Sequence, residues 1–407
     1  MNIIANETVL YKSSSPSDIF CYSPSLMIHP SGKIFAAFDF GGPGVGRLPG
    51  PKTSHGDFGI GNQGKIFSSD DNGETWQHLA DLAMYHARLF SDGNTIYFIG
   101  HDKGITISRS DDEGKTWSEV KELENSVQWH QSPCAYYKEN GYIYLTMEKN
   151  TGASWPGVAP VMLRGKLGTD LTDKANWTFS NTFYYPSELQ TTLGIPFYKT
   201  GLLVPDNKKD TRFCGDPCFL ESHVIKIHDK NHILYEDNTI HIWMRQHSGL
   251  SNIAAIGKCK INADGSLDCG IVKSPAGNPM LHVPFPGGQM KFDVCYDEIS
   301  GYYWLVCSQT TDSMTRAELL PDDRYGVPDN ERHRLVLYFS KNMFDWCFAG
   351  VIAIGKTAKQ SRHYASMVIK DNDILILSRS GDENALSAHN GNMITLHRVA
   401  DFRNLIY

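Results

Sequence analysis

Histidines and arginines at the ends of β-like runs are the residues best suited to chemistry in this chain. His86 in Met84-Tyr85-His86-Ala87-Arg88 and His101 in Phe98-Ile99-Gly100-His101 bracket one hairpin, and His130, beside Trp129, opens the next repeat unit. Imidazole is the natural proton acceptor near neutral pH. Arginine's planar fork matches a carboxylate in bidentate fashion. Arg164, Arg212, Arg245 and Arg332 lie near unit beginnings or in long insertions, and Lys291 follows Gly287-Gly288 by three residues. Together these types suit proton abstraction beside a carboxylate, where the anion must be offset before its neighbouring C–H becomes acidic. Trp129, Trp155 and Trp243 are candidates to stack on ligand faces, although strand cores also bury Trp.

Other constellations compete. Glu148, Asp216, Glu221 and Asp293 offer carboxylates for two-carboxylate glycosidase chemistry, with no pairing evident from sequence. Cys214 and Cys218 form C-x3-C, with His223 and His228 following, which reads as either a metal site or two thiols in a local disulfide. His223, His389 and Asn392 are candidates to tie strands together or hold an ion. Arg88 is expected to be structural, as partner to a turn carboxylate. A turn histidine, His29, and His55 in Thr53-Ser54-His55-Gly56-Asp57 complete the candidates.

The elements that must position these groups are strands. Helical periodicity is nearly absent, and runs such as KIFAAFDF, TIYFIG, YIYLTME, TIHIWMR, YYWLVCS and DILILSRS are rich in β-branched and aromatic residues. Polar turns separate many of them, as antiparallel meanders require. Repetition narrows the architecture. Ser69-Asp70-Asp71-Asn72-Gly73-Glu74-Thr75-Trp76 and Ser110-Asp111-Asp112-Glu113-Gly114-Lys115-Thr116-Trp117 share S-x-D-x-G-x-T-W, and Ser340 to Trp346 is a decayed copy. The motif resembles the Asp-box of sialidase-like β-propellers, which implies an all-β propeller. Blades of roughly 40–45 residues leave room for six or seven plus insertions around 41–63, 150–215 and 311–335. A single seven-bladed propeller spanning 1–407 is the expectation, with six blades as the alternative.

Composition sets the outer limits. The 407 residues are 41% hydrophobic and carry a formal charge of -7 without like-charge runs, which disfavours a nucleic-acid partner. No apolar stretch is long enough to span a membrane. Nine cysteines leave at least one unpaired within the chain. An exported protein, secreted or periplasmic, is expected, with any signal peptide absent from this sequence; the sequons at Asn6 and Asn176 matter only in a eukaryotic secretory route.

Sialidases resemble one another in an early Arg-Ile-Pro that starts a carboxylate-binding arginine set. Here Cys21-Tyr22-Ser23-Pro24-Ser25-Leu26 stands instead, without arginine. A broader resemblance runs through FDFGGPGVGRLPGPK (38–52), MYHARLF (84–90), WHQSP (129–133), FLESHVIKIHD (219–229), IHIWMRQHSGLSNIAA (240–255), PGGQMKFDVCYDE (286–298), YYWLVCSQTTDSM (302–314) and RSGDENALSAHNGNMITLHRVADFR (379–403). These stretches resemble the propellers of glycoside hydrolase family 145 and the related L-rhamnose-α-1,4-D-glucuronate lyases. The resemblance implies removal of L-rhamnose from glucuronic acid on arabinogalactan or gum arabic side chains. It also implies an oligosaccharide or polysaccharide partner, no organic cofactor and, at most, a structural metal ion. β-Elimination on the anterior face is the first expectation, with His86 and His101 as base and acid. Trp129, His130, Arg164, Arg212, Arg245, Lys291 and Arg332 would then hold the substrate, with Arg212 and Arg245 on its carboxylate. Hydrolysis by a single posterior-face histidine, His29 or His55, is the alternative. A non-catalytic acidic-glycan-binding propeller is the third reading.

Overall fold

The computed structural model describes residues 3–56, 58–152, 157–186, 218–247, 251–313, 315, 319 and 331–407. Six antiparallel sheets succeed one another along the chain. Blade 1 comprises Phe20–Ile28, Ile34–Gly41, Gln63–Ser69 and Gln77–Leu82, and blade 2 comprises Tyr85–Asp92, Thr95–His101, Ile105–Ser110 and Lys121–Glu124. In blade 3 the inner strand is split into Trp129–His130 and Tyr137–Glu139, and Tyr142–Asn150, Val158–Lys166 and Trp177–Phe179 follow outward. Blade 4 contains Cys218–Ile225, Thr239–His247, Ile253–Ile261 and Leu267–Lys273, with two short strands, Pro279–Met280 and His282–Pro284, at its margin. Blade 5 contains Asp293–Asp297, Tyr302–Ser308, Arg334–Ser340 and Cys347–Ile354. Blade 6 is built from Arg362–Lys370, Asp373–Ser380 and Met393–Val399, and its outer strand is the N-terminal segment Asn6–Lys12. The blade count is therefore six, not the seven expected first. The surplus length goes into connections and into the extra strands of blade 4.

The hydrophobic runs are nearly continuous because each strand is buried on both faces. Ile34, Ala36, Phe38 and Phe40 pack toward blade 6, while Phe35 and Ala37 on the same strand pack toward blade 2. Successive side chains of a strand point to opposite faces, so one strand serves two interfaces. Six apolar clusters result, one between each consecutive pair of blades. Ring closure relies on the N-terminal strand: Asn6–Lys12 pairs with Met393–Val399, and Glu7 receives a bidentate ion pair from Arg362 at 2.7 and 2.8 Å.

Both Asp-boxes join the third and fourth strands of their blades. Asp71 accepts from the Thr75 amide at 2.9 Å, the Gly73 amide donates to Ser69 Oγ at 2.9 Å, and Trp76 Nε1 donates to the Gly73 carbonyl at 3.1 Å. Asp112, Gly114 and Trp117 repeat this pattern. The decayed copy keeps the geometry, with Asn342 accepting amide bonds and Trp346 Nε1 donating to Met343 at 3.0 Å. Inner and third strands run in the same direction within a meander. The Asp-boxes therefore mark one face, and the starts of the inner strands mark the opposite, anterior one.

Candidate active site

A repeated defect in the inner strands builds the anterior mouth. Ser23, His86, Glu221 and Tyr364 all have positive φ, between 44° and 54°, and each lies at a register slip between the inner and second strands of blades 1, 2, 4 and 6. Such bulges insert an unpaired residue and re-aim its side chain. Non-glycine residues held in the left-handed region cost about 1–3 kcal/mol each and cluster at functional sites. Three of the four equivalent positions carry a histidine, a carboxylate and a phenol.

On one side of the mouth three imidazoles form a triangle. Ring centroids of His86, His101 and His130 are 5.5, 5.5 and 5.8 Å apart. His130 Nδ1 pairs with Glu148 at 2.8 Å, and His101 Nδ1 lies 3.1 Å from the Asp102 carbonyl. The His86 amide donates to Asp39. Burial pushes the His101 pKa down to about 3, and the neighbouring His130 adds to the shift. Burial also holds His86 well below the ordinary histidine range, with His101, His130 and Arg379 adding to the shift. These two rings are neutral at pH 7.

Tyr85 packs between them, 4.1 Å from His101 and 4.8 Å from His86 by ring centroids. Its hydroxyl lies 3.1 Å from His55 Nε2, and His55 Nδ1 is 3.0 Å from Asp102. The loop joining the second and third strands of blade 1 delivers His55. Asp102 also accepts two bonds from Ser54, one from its amide and one from its hydroxyl, which fixes that loop against blade 2. A carboxylate, an imidazole and a phenol are thus linked in series at the edge of the histidine triangle.

The other side of the mouth is cationic. Arg245 Nη1 donates to Tyr364 Oη at 2.8 Å and lies 3.2 and 3.3 Å from the two Glu221 oxygens. Arg332 and Arg379 stand 5.7 and 5.3 Å from the Tyr364 ring centroid. Arg379 also covers the Tyr22 ring at 4.1 Å. Burial raises the Tyr364 pKa, and the Glu221 charge raises it further. Glu148 joins the two sides, because the same carboxylate that holds His130 accepts from the Ser222 amide at 3.0 Å, next to Glu221.

Several candidates lie elsewhere. His29 is buried in its posterior turn, its ring nitrogens 2.8 Å from Ser31 Oγ and 3.1 Å from the Asn94 carbonyl. His55, the other posterior candidate, belongs to the anterior mouth. Arg164 sits over the Tyr142 ring at 4.5 Å in blade 3, away from the mouth. Trp129 and Trp243 are 4% and 0% exposed and fill interblade cores, leaving no ring face for a ligand. Lys291 Nζ donates to the Ala365 carbonyl across two blades. Arg88 serves the axial channel instead of an Asp-box, donating to the carbonyls of Cys134 and Thr146. Arg212, Cys214, Trp155 and Asp216 lie outside the described residues. Cys218 is buried in its strand, His223 faces the channel and His228 stacks on Tyr296 at 3.9 Å. Among the described residues no group of three or more His, Cys, Asp or Glu is arranged to hold a metal ion.

Beneath the mouth a belt of inner-strand side chains crosses the channel. Ser25 and Ser366 accept from the amides of Leu89 and Leu26, Asp293 from that of Met367, and His223 from that of Ala135. Burial lifts the Asp293 pKa to about 6. Behind the belt lies a cavity of about 310 Å³, lined by Tyr136, Lys226, His228, Tyr296 and Glu298 among others. Sequence reasoning had passed over Tyr22, Tyr85, Asp102, Tyr364 and Arg379. Position within a bulge was the shared signal for Tyr364, His86 and Glu221, and only pairing registers reveal it.

No known family model matches the chain, and no curated protein matches it. Solved structures do. The chain superposes on a protein of unknown function from Dyadobacter fermentans with TM-score 0.55 and 15% identity, over 97% of each chain. It is similar to the Penicillium chrysogenum α-L-arabinanase solved with arabinobiose, with TM-score 0.54 and 11% identity over 99% of each. The intramolecular trans-sialidase of Ruminococcus gnavus gives TM-score 0.57 and 10% identity over 98% of each. No helix among the described residues is long and apolar enough to cross a membrane. At these identities the likeness establishes the fold alone: the chain is a six-bladed β-propeller.

Proposed function

We propose that this protein is a carbohydrate-active enzyme that cleaves a uronate-containing glycan at its anterior mouth by β-elimination, releasing L-rhamnose from α-1,4-linked D-glucuronate. One observation supports the reaction class above others: Arg379 lies against Tyr364 and Tyr22, on the same mouth as His86, whose depression comes chiefly from burial with a smaller part from Arg379, so a cationic clamp and neutral imidazoles share one mouth. The resemblance of the sequence stretches supplies the sugars. That the solved neighbours include an arabinanase and a trans-sialidase agrees with a glycan substrate.

The steps follow from the residues. Arg379 and Arg332 receive the uronate carboxylate, and its anion offsets the Arg379 charge that adds to the burial of His86. His86 thereby becomes a better base in the complex than in the free protein. It removes the C5 proton, the electron pair forms the C4=C5 bond, and the O4–C4 bond breaks. The departing rhamnose oxygen takes a proton from His101 or from Tyr85, whose hydroxyl is linked through His55 to Asp102. In a gluco-configured uronate the C5 hydrogen and the O4 substituent are gauche, so base and acid must be neighbours. Centroids 5.5 Å apart meet that need.

A second reading has its own support. Tyr364, with Arg245 on its hydroxyl and Glu221 paired to that arginine, is set up as a tyrosine nucleophile of the kind some retaining glycosidases use. Tyr364→Phe separates the two. Elimination predicts retained turnover with a weakened KM, whereas nucleophilic hydrolysis predicts loss of turnover. His86→Asn does the reverse.

A further inference from the structure

Cys259 and Cys269 are register partners on the third and fourth strands of blade 4. The backbone shows which kind of pair they form. The Cys269 amide donates to Asn181 Oδ1 at 2.7 Å, and its carbonyl accepts from Asn181 Nδ2 at 2.9 Å. Both polar groups of Cys269 therefore point away from Cys259, which makes this a non-hydrogen-bonded antiparallel pair. Such pairs bring Cα atoms to about 4.5 Å and side chains closer than any other sheet position, within the range a disulfide spans. Both side chains enter the same interblade cluster between blades 3 and 4. Cys269 Sγ sits 3.2 Å from Ser180 Oγ.

We propose that Cys259 and Cys269 are an oxidation site: in the presence of a disulfide oxidant they close a cross-strand disulfide that staples the edge of blade 4 where Asn181 of blade 3 docks. Cys269 is the more accessible thiol, 5% against 1% exposed, and attacks first. Its thiolate displaces one glutathione thiolate from oxidised glutathione, giving a mixed disulfide. The Cys259 thiolate, its proton passing to the released glutathione, then attacks the Cys269 sulfur and expels the second glutathione. Two protein thiols are oxidised and one glutathione disulfide is reduced to two thiols. Exchange of this kind is set by thiolate availability and access, so brief opening of the blade edge governs the rate but not the product.

The test refolds the fully reduced chain in excess oxidised glutathione, blocks remaining thiols with N-ethylmaleimide in denaturant and maps tryptic peptides without reduction. Cleavage at Lys258, Lys260 and Lys273 isolates Cys259 and Cys269 on separate peptides that contain no other cysteine. The proposal predicts those two peptides linked, two mass units below their sum, and both alkylated after dithiothreitol. Recovery of both as maleimide adducts, or linkage of either to a different cysteine, overturns it. In Cys269→Ser, Cys259 should be recovered alkylated, and its capture by another cysteine would also count against the pair. None of these outcomes depends on what the anterior mouth catalyses.

Discussion

His86 is the residue on which the chemical account turns, and its environment makes three statements about it. It is held at positive φ by a bulge, it is neutral through burial, and it feels the charge of Arg379. His86→Asn should lower kcat on a rhamnosyl-glucuronate substrate by about 10²–10⁴-fold, the usual contribution of a positioned base, with the melting temperature kept close to that of the parent. Arg379→Gln should act differently. Without the guanidinium one contributor to the His86 depression is removed while burial remains, so the acid limb of the kcat/KM profile moves modestly to higher pH while KM rises. An unmoved acid limb would remove Arg379 from electrostatic contact with the base. The sequence made His86 and His101 visible because one opens and the other closes a strong β hairpin. It hid Tyr364 and Arg379 because their relevance depends on a neighbouring blade that is remote in sequence: Tyr364 meets Arg245 across 119 residues. Trp129 misled for the converse reason, since an aromatic at a strand start serves a core as readily as a sugar.

At the scale of elements, the Asp-box turn is the unit that sequence described best. The S-x-D-x-G-x-T-W spacing marked both turns, and in each the Asp accepts a backbone amide, the Gly holds a positive φ and the Trp indole donates to the glycine carbonyl. The glycine is required twice over at Gly73, where φ is +90° and an added Cβ would lie 2.2 Å from Leu396 Cδ2 of blade 6. Gly73→Ala should destabilise the fold by about 1–3 kcal/mol, measured by denaturant unfolding, and leave turnover in the folded fraction unchanged. The inner-strand bulges were beyond the sequence for a physical reason. A slip in pairing register is a property of two strands, and the residues that occupy it here, Ser, His, Glu and Tyr, share no composition signal.

For the whole molecule, closure and protonation decide stability. Blade 6 depends on Asn6–Lys12, so a chain beginning at Ser13 should melt at least about 10 °C lower or aggregate, because Met393–Val399 becomes an unpaired edge. Six blades instead of seven was the miscount: insertion length and blade length cannot be separated when the outer strands are as short as Trp177–Phe179. The pH dependence follows from the buried histidines. His101 and His241 are lowered to about 3, His397 to about 4, and His86, His223 and His363 lie well below their ordinary value of 6.5. The unfolded chain takes up these protons near 6.5 and the folded chain does not, so stability falls as pH drops from about 6.5 toward 3. Asp293, raised to about 6, works in the opposite sense between 3.8 and 6, one group against these six, to which the lowered His228 and His282 add. The melting temperature at pH 5 should therefore lie below that at pH 7, and an equal or higher value would contradict the burial of these rings.

The most direct test of the central claim is to incubate the protein with gum arabic and follow ultraviolet absorbance of an α,β-unsaturated uronate together with free L-rhamnose, in parallel with His86→Asn. Absorbance and rhamnose rising together in the parent, and neither in the variant, is the predicted result. Rhamnose released without the unsaturated chromophore would contradict elimination and move the chemistry to Tyr364 and Glu221.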